Sequence, residues 1–312
     1  MKVAFNKNIV KGPYGGGNIV LAQIVKYLQK QGVEVCFNLD KTVDVAVIMD
    51  AREKTCFTFA DIFKHKQRGL KVVHRINDNG RHRENDSKRD LSIIKMDKEL
   101  ADKTVFISKW LQNYFEDKGL KREDAIVIHN GADRNLFKPI DRNRLKDDSV
   151  KIITHHWSRN MAKGYSVYEE LSDFCAENSG VASFSFLGRC PDNCMNRAKR
   201  YGAKPYSEIP GFLQGNDVYI TASRYESGGC HIVEGMACGL IPVVQRGGGG
   251  TEEYAGEYGL FFDNTTELEG ILSELRYNWD FFISRKRKMM LYEYSMEEMC
   301  KKYFKTIKLV MT

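Results

Sequence analysis

Apolar runs of strand length recur along the chain, separated by polar or amphipathic stretches. Residues 2–6 (KVAFN), 33–38 (VEVCFN), 43–49 (VDVAVIM), 70–76 (LKVVHRI), 104–108 (TVFIS) and 125–130 (AIVIHN) are runs rich in β-branched or apolar residues. Amphipathic stretches lie between several of them, clearest at residues 18–31 and 91–101. The same rhythm resumes at 150–156 (VKIITHH), 182–188 (ASFSFLG), 217–223 (DVYITAS) and 241–244 (IPVV). Strands alternating with helices argue for parallel sheets covered on both faces. The pattern predicts an α/β chain of two Rossmann-like, doubly wound domains facing a cleft. Residues 1–140 form the first domain, 141–295 the second, and 296–312 a terminal helix. The polar stretch 141–149 is the expected hinge.

Composition narrows the class. The chain has 312 residues, enough for two cores of ordinary size, and 42% of them are hydrophobic. No apolar run approaches a membrane-spanning length, and the opening MKVAFNKNIV lacks the apolar core and cleavage site of a signal peptide. Eight cysteines are scattered without framework spacing. Cys190 and Cys194 flank Pro191 but find no second pair to complete a zinc site. Reduced thiols in a cytoplasmic protein, placed peripherally at a membrane surface, are the expectation.

The net charge of +7 is unevenly spread. Residues 1–140 hold 26 Lys and Arg against 18 Asp and Glu; the remainder hold 22 against 23. A basic first half suits an anionic partner, either an acidic or lipid-linked glycan or a membrane surface. RKRK at 285–288 is a candidate membrane contact or a solvated helix face. Basic and aromatic residues do not interleave in the manner of a nucleic-acid surface, which sets that partner aside.

The densest chemistry lies between Tyr225 and Val244, YESGGCHIVEGMACGLIPVV. Glu226 falls in the loop after a strand, and Glu234 lies about two turns into the following helix. Ligands of open α/β sheets bind at the carboxyl ends of strands, beside helix N-termini. A carboxylate there accepts from sugar hydroxyls and repels phosphate, so the arrangement asks for a ligand carrying both.

Further segments fall at strand ends. Gly12-Pro13-Tyr14-Gly15-Gly16-Gly17-Asn18 follows the first strand and opens a helix, without the Gly-Lys-Ser/Thr of a Walker A loop. Val73-His74-Arg75-Ile76-Asn77-Asp78 closes the fourth strand. His129-Asn130-Gly131-Ala132-Asp133 precedes Phe137 and Pro139. Trp157-Ser158-Arg159-Asn160-Met161-Ala162-Lys163-Gly164 offers two cations after the first strand of the second half. Gln245-Arg246 leads four glycines, 247–250, into Thr251-Glu252-Glu253, a run long enough to suggest extra flexibility.

In this order the segments resemble the retaining glycosyltransferases of family 4, with the two-domain GT-B fold. E-x7-E resembles their donor-site signature. The G-G-G-N loop, H-R-x-N-D and the Ala101-Asp102-x-Thr104 segment resemble a bacterial and viral branch of that family. The resemblance implies that Glu234 grips the nucleotide ribose and Glu226 lies beside the transferred sugar. Lys163 and Arg159 would neutralise the leaving diphosphate as catalytic cations. The family leaves four residues between its two cations, where this chain leaves three. Gly16, Gly17, Ser227, Gly228, Gly229, Gly249, Gly250 and Glu253 would line the donor. Asn18, Asn77, Asp78, Arg81 and His82 would face the acceptor. The terminal helix would pack back on the first domain.

The donor implied is a UDP- or GDP-sugar, with no cofactor and no metal, since no Asp-x-Asp motif precedes the site. The acceptor would be a hydroxyl of a glycan or lipid-linked glycan. A nucleotide-sugar epimerase or phosphorylase on the same fold, or a non-catalytic nucleotide-sugar or glycan-binding protein, are the alternatives.

Overall fold

The computed structural model describes all residues except 13–14, 52–54, 84–85, 141–147, 283 and 285–293. Most of the expected hinge and the RKRK segment lie outside the described residues.

The chain divides into two compact units. One comprises Met1–Lys11, Gly16–Asn130 and Met296–Thr312; the other comprises Gly12–Gly15 and Gly131–Ser295. The first unit contains β1 (Lys2–Phe5), α1 (Gly16–Lys30), β2 (Glu34–Cys36), β3 (Val45–Ile48) and α2 (Phe59–Lys66). It continues through β4 (Lys71–Ile76), α3 (Ser87–Leu100), β5 (Lys103–Phe106), α4 (Lys109–Glu116) and β6 (Ile126–Val127). Its six strands are parallel in the order β2-β1-β3-β4-β5-β6.

The second unit contains β7 (Val150–His156), α5 (Tyr165–Glu177), β8 (Ala182–Gly188), β9 (Lys199–Tyr201), α6 (Ile209–Leu213) and β10 (Val218–Thr221). Then come α7 (Cys230–Ala237), β11 (Ile241–Gln245), α8 (Gly250–Ala255), β12 (Leu260–Phe262) and α9 (Thr265–Tyr277). Its strands are parallel in the order β12-β11-β10-β7-β8-β9. A last helix, α10 (Met296–Leu309), belongs to the first unit, with the Phe304 ring edge-on to Tyr27 of α1 at 6.2 Å.

Continuous apolar strands form because both sheet faces are covered. In the second unit Ile152, Phe186, Ile220 and Val243 join one buried cluster. Their chain neighbours Ile153, Leu187, Tyr219 and Val244 join the other. Successive side chains of a strand point to opposite faces, so a two-sided core needs apolar residues at every position. The short strand β9 carries no such run: it is Lys199-Arg200-Tyr201 at the sheet edge. The apolar run at 125–130 narrows to the two residues of β6, and beyond it Asn130 accepts from the Arg75 guanidinium at 2.9 Å.

Candidate functional site

In the second sheet, β7 and β10 are neighbours although the chain visits β8 and β9 between them. The direction of winding reverses there, which creates a crevice at the carboxyl ends of those strands. The loops after β7, β10 and β11 converge at this point, and they carry Lys163, Glu226 and the four glycines.

Lys163 ends a one-turn helix, Met161–Lys163, and Gly164 follows at φ 84°. A Cβ at Gly164 would overlap the backbone and side chain of Ala222, just past β10. Only glycine permits both that left-handed backbone and that approach. The backbone N–H of Arg224 donates to the Ala162 carbonyl at 2.7 Å, binding the two loops together. The result is a direct ion pair in which Lys163 Nζ donates to Glu226 Oε2, with both side chains nearly nine-tenths buried. Tyr225, immediately before, holds φ 54°, a sparsely populated conformation for a residue with a side chain.

The glycine run seals the other side. Gly247 and Gly249 have φ near 78°, and a Cβ on Gly250 would lie 2.5 Å from the Ser227 carbonyl oxygen. The N–H groups of Tyr225 and Glu226 donate to the carbonyls of Gly247 and Gly248 at 3.1 and 2.8 Å. Close backbone packing, rather than flexibility, accounts for four consecutive glycines. The Gly250 N–H donates to the Glu226 carbonyl at 2.6 Å, and the Gly249 N–H to the Glu252 carboxylate at 3.2 Å. Both amides are therefore engaged within the protein. Glu253 sits half-buried in the first turn of α8.

Helix α7 starts after Ser227, which is buried, Gly228 and Gly229; no side chain caps it at Gly229. Glu234, on this helix, is buried at 5% exposure and accepts from His155 Nε2 at 2.8 Å. His155 Nδ1 lies 3.0 Å from the Tyr219 hydroxyl, which lies 3.2 Å from His231 Nδ1. His231 Nε2 stands 3.9 Å from Glu226 Oε2. The two carboxylates of E-x7-E are thus connected through His155, Tyr219 and His231. Burial lowers the His231 pKa to about 4 and holds His156 well below its usual value, so both are neutral near pH 7. Desolvation raises Tyr168 to about 12.

Arg159 is placed elsewhere. Its side chain is 63% exposed and pairs with Asp192 at 3.3 Å.

The acceptor-side candidates lie in the first unit. Asn18 is buried, and both ends of its amide bond the backbone of Val10 at 2.8 Å. Asn77 accepts from Arg75 at 2.9 Å and donates to the Met49 carbonyl at 3.2 Å. Asp78 accepts from Arg89 at 2.5 Å. His82 is buried in the one-turn helix Arg81–Arg83, and its N–H donates to the Asn79 side chain at 2.8 Å; Arg81 is exposed. Gly16 and Gly17 open α1, and a Cβ added at Gly17 would lie 3.9 Å from the Asn77 side-chain amide. Within β4, His74 bonds the buried Asp97 at 2.9 Å, and Arg75 donates to Asn130 and to Tyr303 of α10, each at 2.9 Å.

His155, Tyr219 and His231 escaped the sequence reading. The available signals were a histidine pair ending an apolar strand and a histidine three positions before Glu234, on the same helical face.

Residues 194–303 match the family model described as Glycosyl transferases group 1. An uncharacterised glycosyltransferase of Methanocaldococcus jannaschii is 26% identical over 164 residues, which covers 48% of this chain and 41% of that relative. The alignment therefore spans less than half of the relative's length. Among solved structures, Anabaena HepE in complex with UDP and glucose superposes with a TM-score of 0.75 at 16% identity, covering 98% of this chain and 99% of that one. Sucrose-phosphate synthase from Thermosynechococcus elongatus gives 0.73 at 14% identity, covering 99% and 98%. Two six-stranded parallel sheets with flanking helices are the architecture of these GT-B structures. The shared architecture shows the GT-B fold, and residues 194–303 carry the match to Glycosyl transferases group 1.

Proposed function

We propose that the protein transfers a sugar from a nucleoside-diphosphate donor to a hydroxyl of a glycan or lipid-linked acceptor, with retention of anomeric configuration and without a metal. The observation that carries this reading is the Lys163–Glu226 pair at the winding reversal of the second sheet. It places an ammonium for a diphosphate beside a carboxylate for sugar hydroxyls. UDP is the nucleotide to test first, because HepE structures hold UDP and UDP-glucose; GDP is the second.

In this reading the second unit holds the donor. Lys163 turns from Glu226 to the diphosphate as the glycosidic bond breaks, stabilising the charge that develops on the leaving group. Glu226 then orients sugar hydroxyls, and Glu234 contributes to the nucleotide side. Ser227, Gly228 and Gly229 line the sugar at the start of α7. Gly249 and Gly250 hold the loop that carries Glu226, and Glu253, in the first turn of α8, serves the donor. The acceptor hydroxyl attacks from the face of the departing diphosphate, whose oxygen takes its proton. Arg159, exposed on Asp192, serves the donor only by leaving that partner. Asn77, Asp78, Arg81 and His82, with Asn18, belong to the acceptor side, and Gly16 and Gly17 are donor-loop residues.

No described helix is long and apolar enough to cross a membrane. All eight cysteines are free thiols, which suits cytoplasmic work on a donor made there, with membrane-borne acceptors reached peripherally.

Thermal shifts with UDP, GDP, ADP and CMP test the reading. One nucleotide should stabilise the wild type selectively, and Glu234→Ala should lose that shift. No shift with any nucleotide would contradict it.

A further inference from the structure

His231 carries a feature that the transfer reading leaves unused. Its imidazole is nine-tenths buried, yet its Nε2 has no hydrogen-bond partner. Glu226 Oε2, at 3.9 Å, is beyond hydrogen-bond reach. A Cβ on Gly229 would come within 2.7 Å of Nε2, so the nitrogen overlies a backbone that glycine keeps bare. Nε2 is therefore aimed beside the Lys163–Glu226 pair. A buried polar atom without a partner is disfavoured unless a ligand supplies one.

The neighbours decide whether that atom donates or accepts. His155 Nε2 lies 2.8 Å from the Glu234 carboxylate, to which it donates. His155 Nδ1 lies 3.0 Å from the Tyr219 hydroxyl, which donates to it in the arrangement proposed below. The Tyr219 oxygen, its own proton committed, accepts from the His155 backbone N–H at 3.1 Å and from His231 Nδ1–H at 3.2 Å. His231 thereby carries its proton on Nδ1 and a lone pair on Nε2. Burial keeps the ring neutral, which preserves that lone pair near pH 7.

We propose that His231 is a specificity residue for the sugar half of the donor. Its Nε2 accepts a hydrogen bond from a sugar hydroxyl held beside Lys163 and Glu226, and Glu234 sets that polarity through His155 and Tyr219. The proposal rests on the donor-site reading given above and adds a residue and a proton arrangement to it. His231 recognises the sugar and not the nucleotide, so the two halves of the donor respond separately to its loss.

His231→Asn retains an N–H near the Nδ1 position, for Tyr219, and removes the Nε2 end. Calorimetric titration of the full chain with UDP and with UDP-glucose, and in parallel with GDP and GDP-mannose, provides the test. The variant should bind the bare diphosphate within about twofold of wild type and lose about tenfold in affinity for the nucleotide sugar, the scale of one buried hydrogen bond. Unchanged nucleotide-sugar affinity, or parallel weakening of both ligands, would overturn the proposal. A wild type that binds none of the four would instead refute the donor-site reading itself. Nitrogen NMR of the histidine-labelled wild type supplies a test that needs no variant. It should report His231 protonated on Nδ1 and bare on Nε2; the reverse tautomer would overturn the proposal.

Discussion

Lys163 and Glu226 form a nearly buried ion pair at the point where the second sheet reverses its winding, 63 positions apart in sequence. Each group occupies the other until a ligand arrives. In the proposed donor role, a diphosphate competes with Glu226 for the ammonium and is itself repelled by the carboxylate. Glu226→Gln is therefore expected to bind UDP more tightly, on the order of tenfold. The same change should lower turnover about a hundredfold, because the sugar loses its charged acceptor. Calorimetry and initial rates measured on one preparation check the opposed signs.

Gly164 makes that pair geometrically attainable. Gly164→Ala introduces a Cβ into Ala222 at a backbone φ of 84°. The expected loss is about 2–4 kcal/mol of stability from the combined strain and overpacking. Denaturant melts measure it, and an Ala variant at Gly215, where a Cβ meets open space, provides the comparison.

The buried histidines impose an acid limit. His231 has a pKa of about 4 in the fold, against an ordinary 6.5 when unfolded, and His156 is lowered in the same direction. Between those values the unfolded chain binds protons that the fold refuses, so stability falls as pH drops from 6.5 toward 4. Above 6.5 the imidazoles contribute no slope. His231 alone accounts for a loss on the order of 3 kcal/mol across that window. His231→Asn should reduce the pH dependence of Tm between those limits by the His231 share, leaving that of His156, with the neutral side unaltered in slope.

Arg75 is buried with neutral acceptors: Tyr303, Asn130 and Asn77. Tyr303→Phe leaves the guanidinium Nε without its partner on α10. A cost of about 1–3 kcal/mol is expected, since an unmet buried donor forfeits its hydration. Hydrogen exchange across α10 and β4 should rise in this variant before it rises in the second sheet.

Much of the architecture was legible because burial on both sheet faces writes itself as unbroken apolar strands, as in Ile152-Ile153 and Val243-Val244. Lys163 could be singled out because its neighbour Gly164 is dictated by backbone geometry. Side-chain partners left weaker traces. Nothing near Asn18 signals that its amide clamps Val10, and nothing in the Arg159 segment signals Asp192, 33 positions away. The glycine run at 247–250 records close backbone approach, yet glycine marks approach to a ligand and to another loop alike. The link from Glu226 to Glu234 runs through residues of β7, β10 and α7 that only the tertiary fold brings together.

The most direct test is the initial rate of UDP release from UDP-glucose, and of GDP from GDP-mannose, by the wild type and by Lys163→Met, with pooled glycan and lipid-linked acceptors. The account predicts acceptor-stimulated release by the wild type, insensitive to a chelator, and a fall of about 10²–10³-fold in the variant. A wild type that binds nucleotide but releases none, or a variant that keeps the wild-type rate, would contradict it.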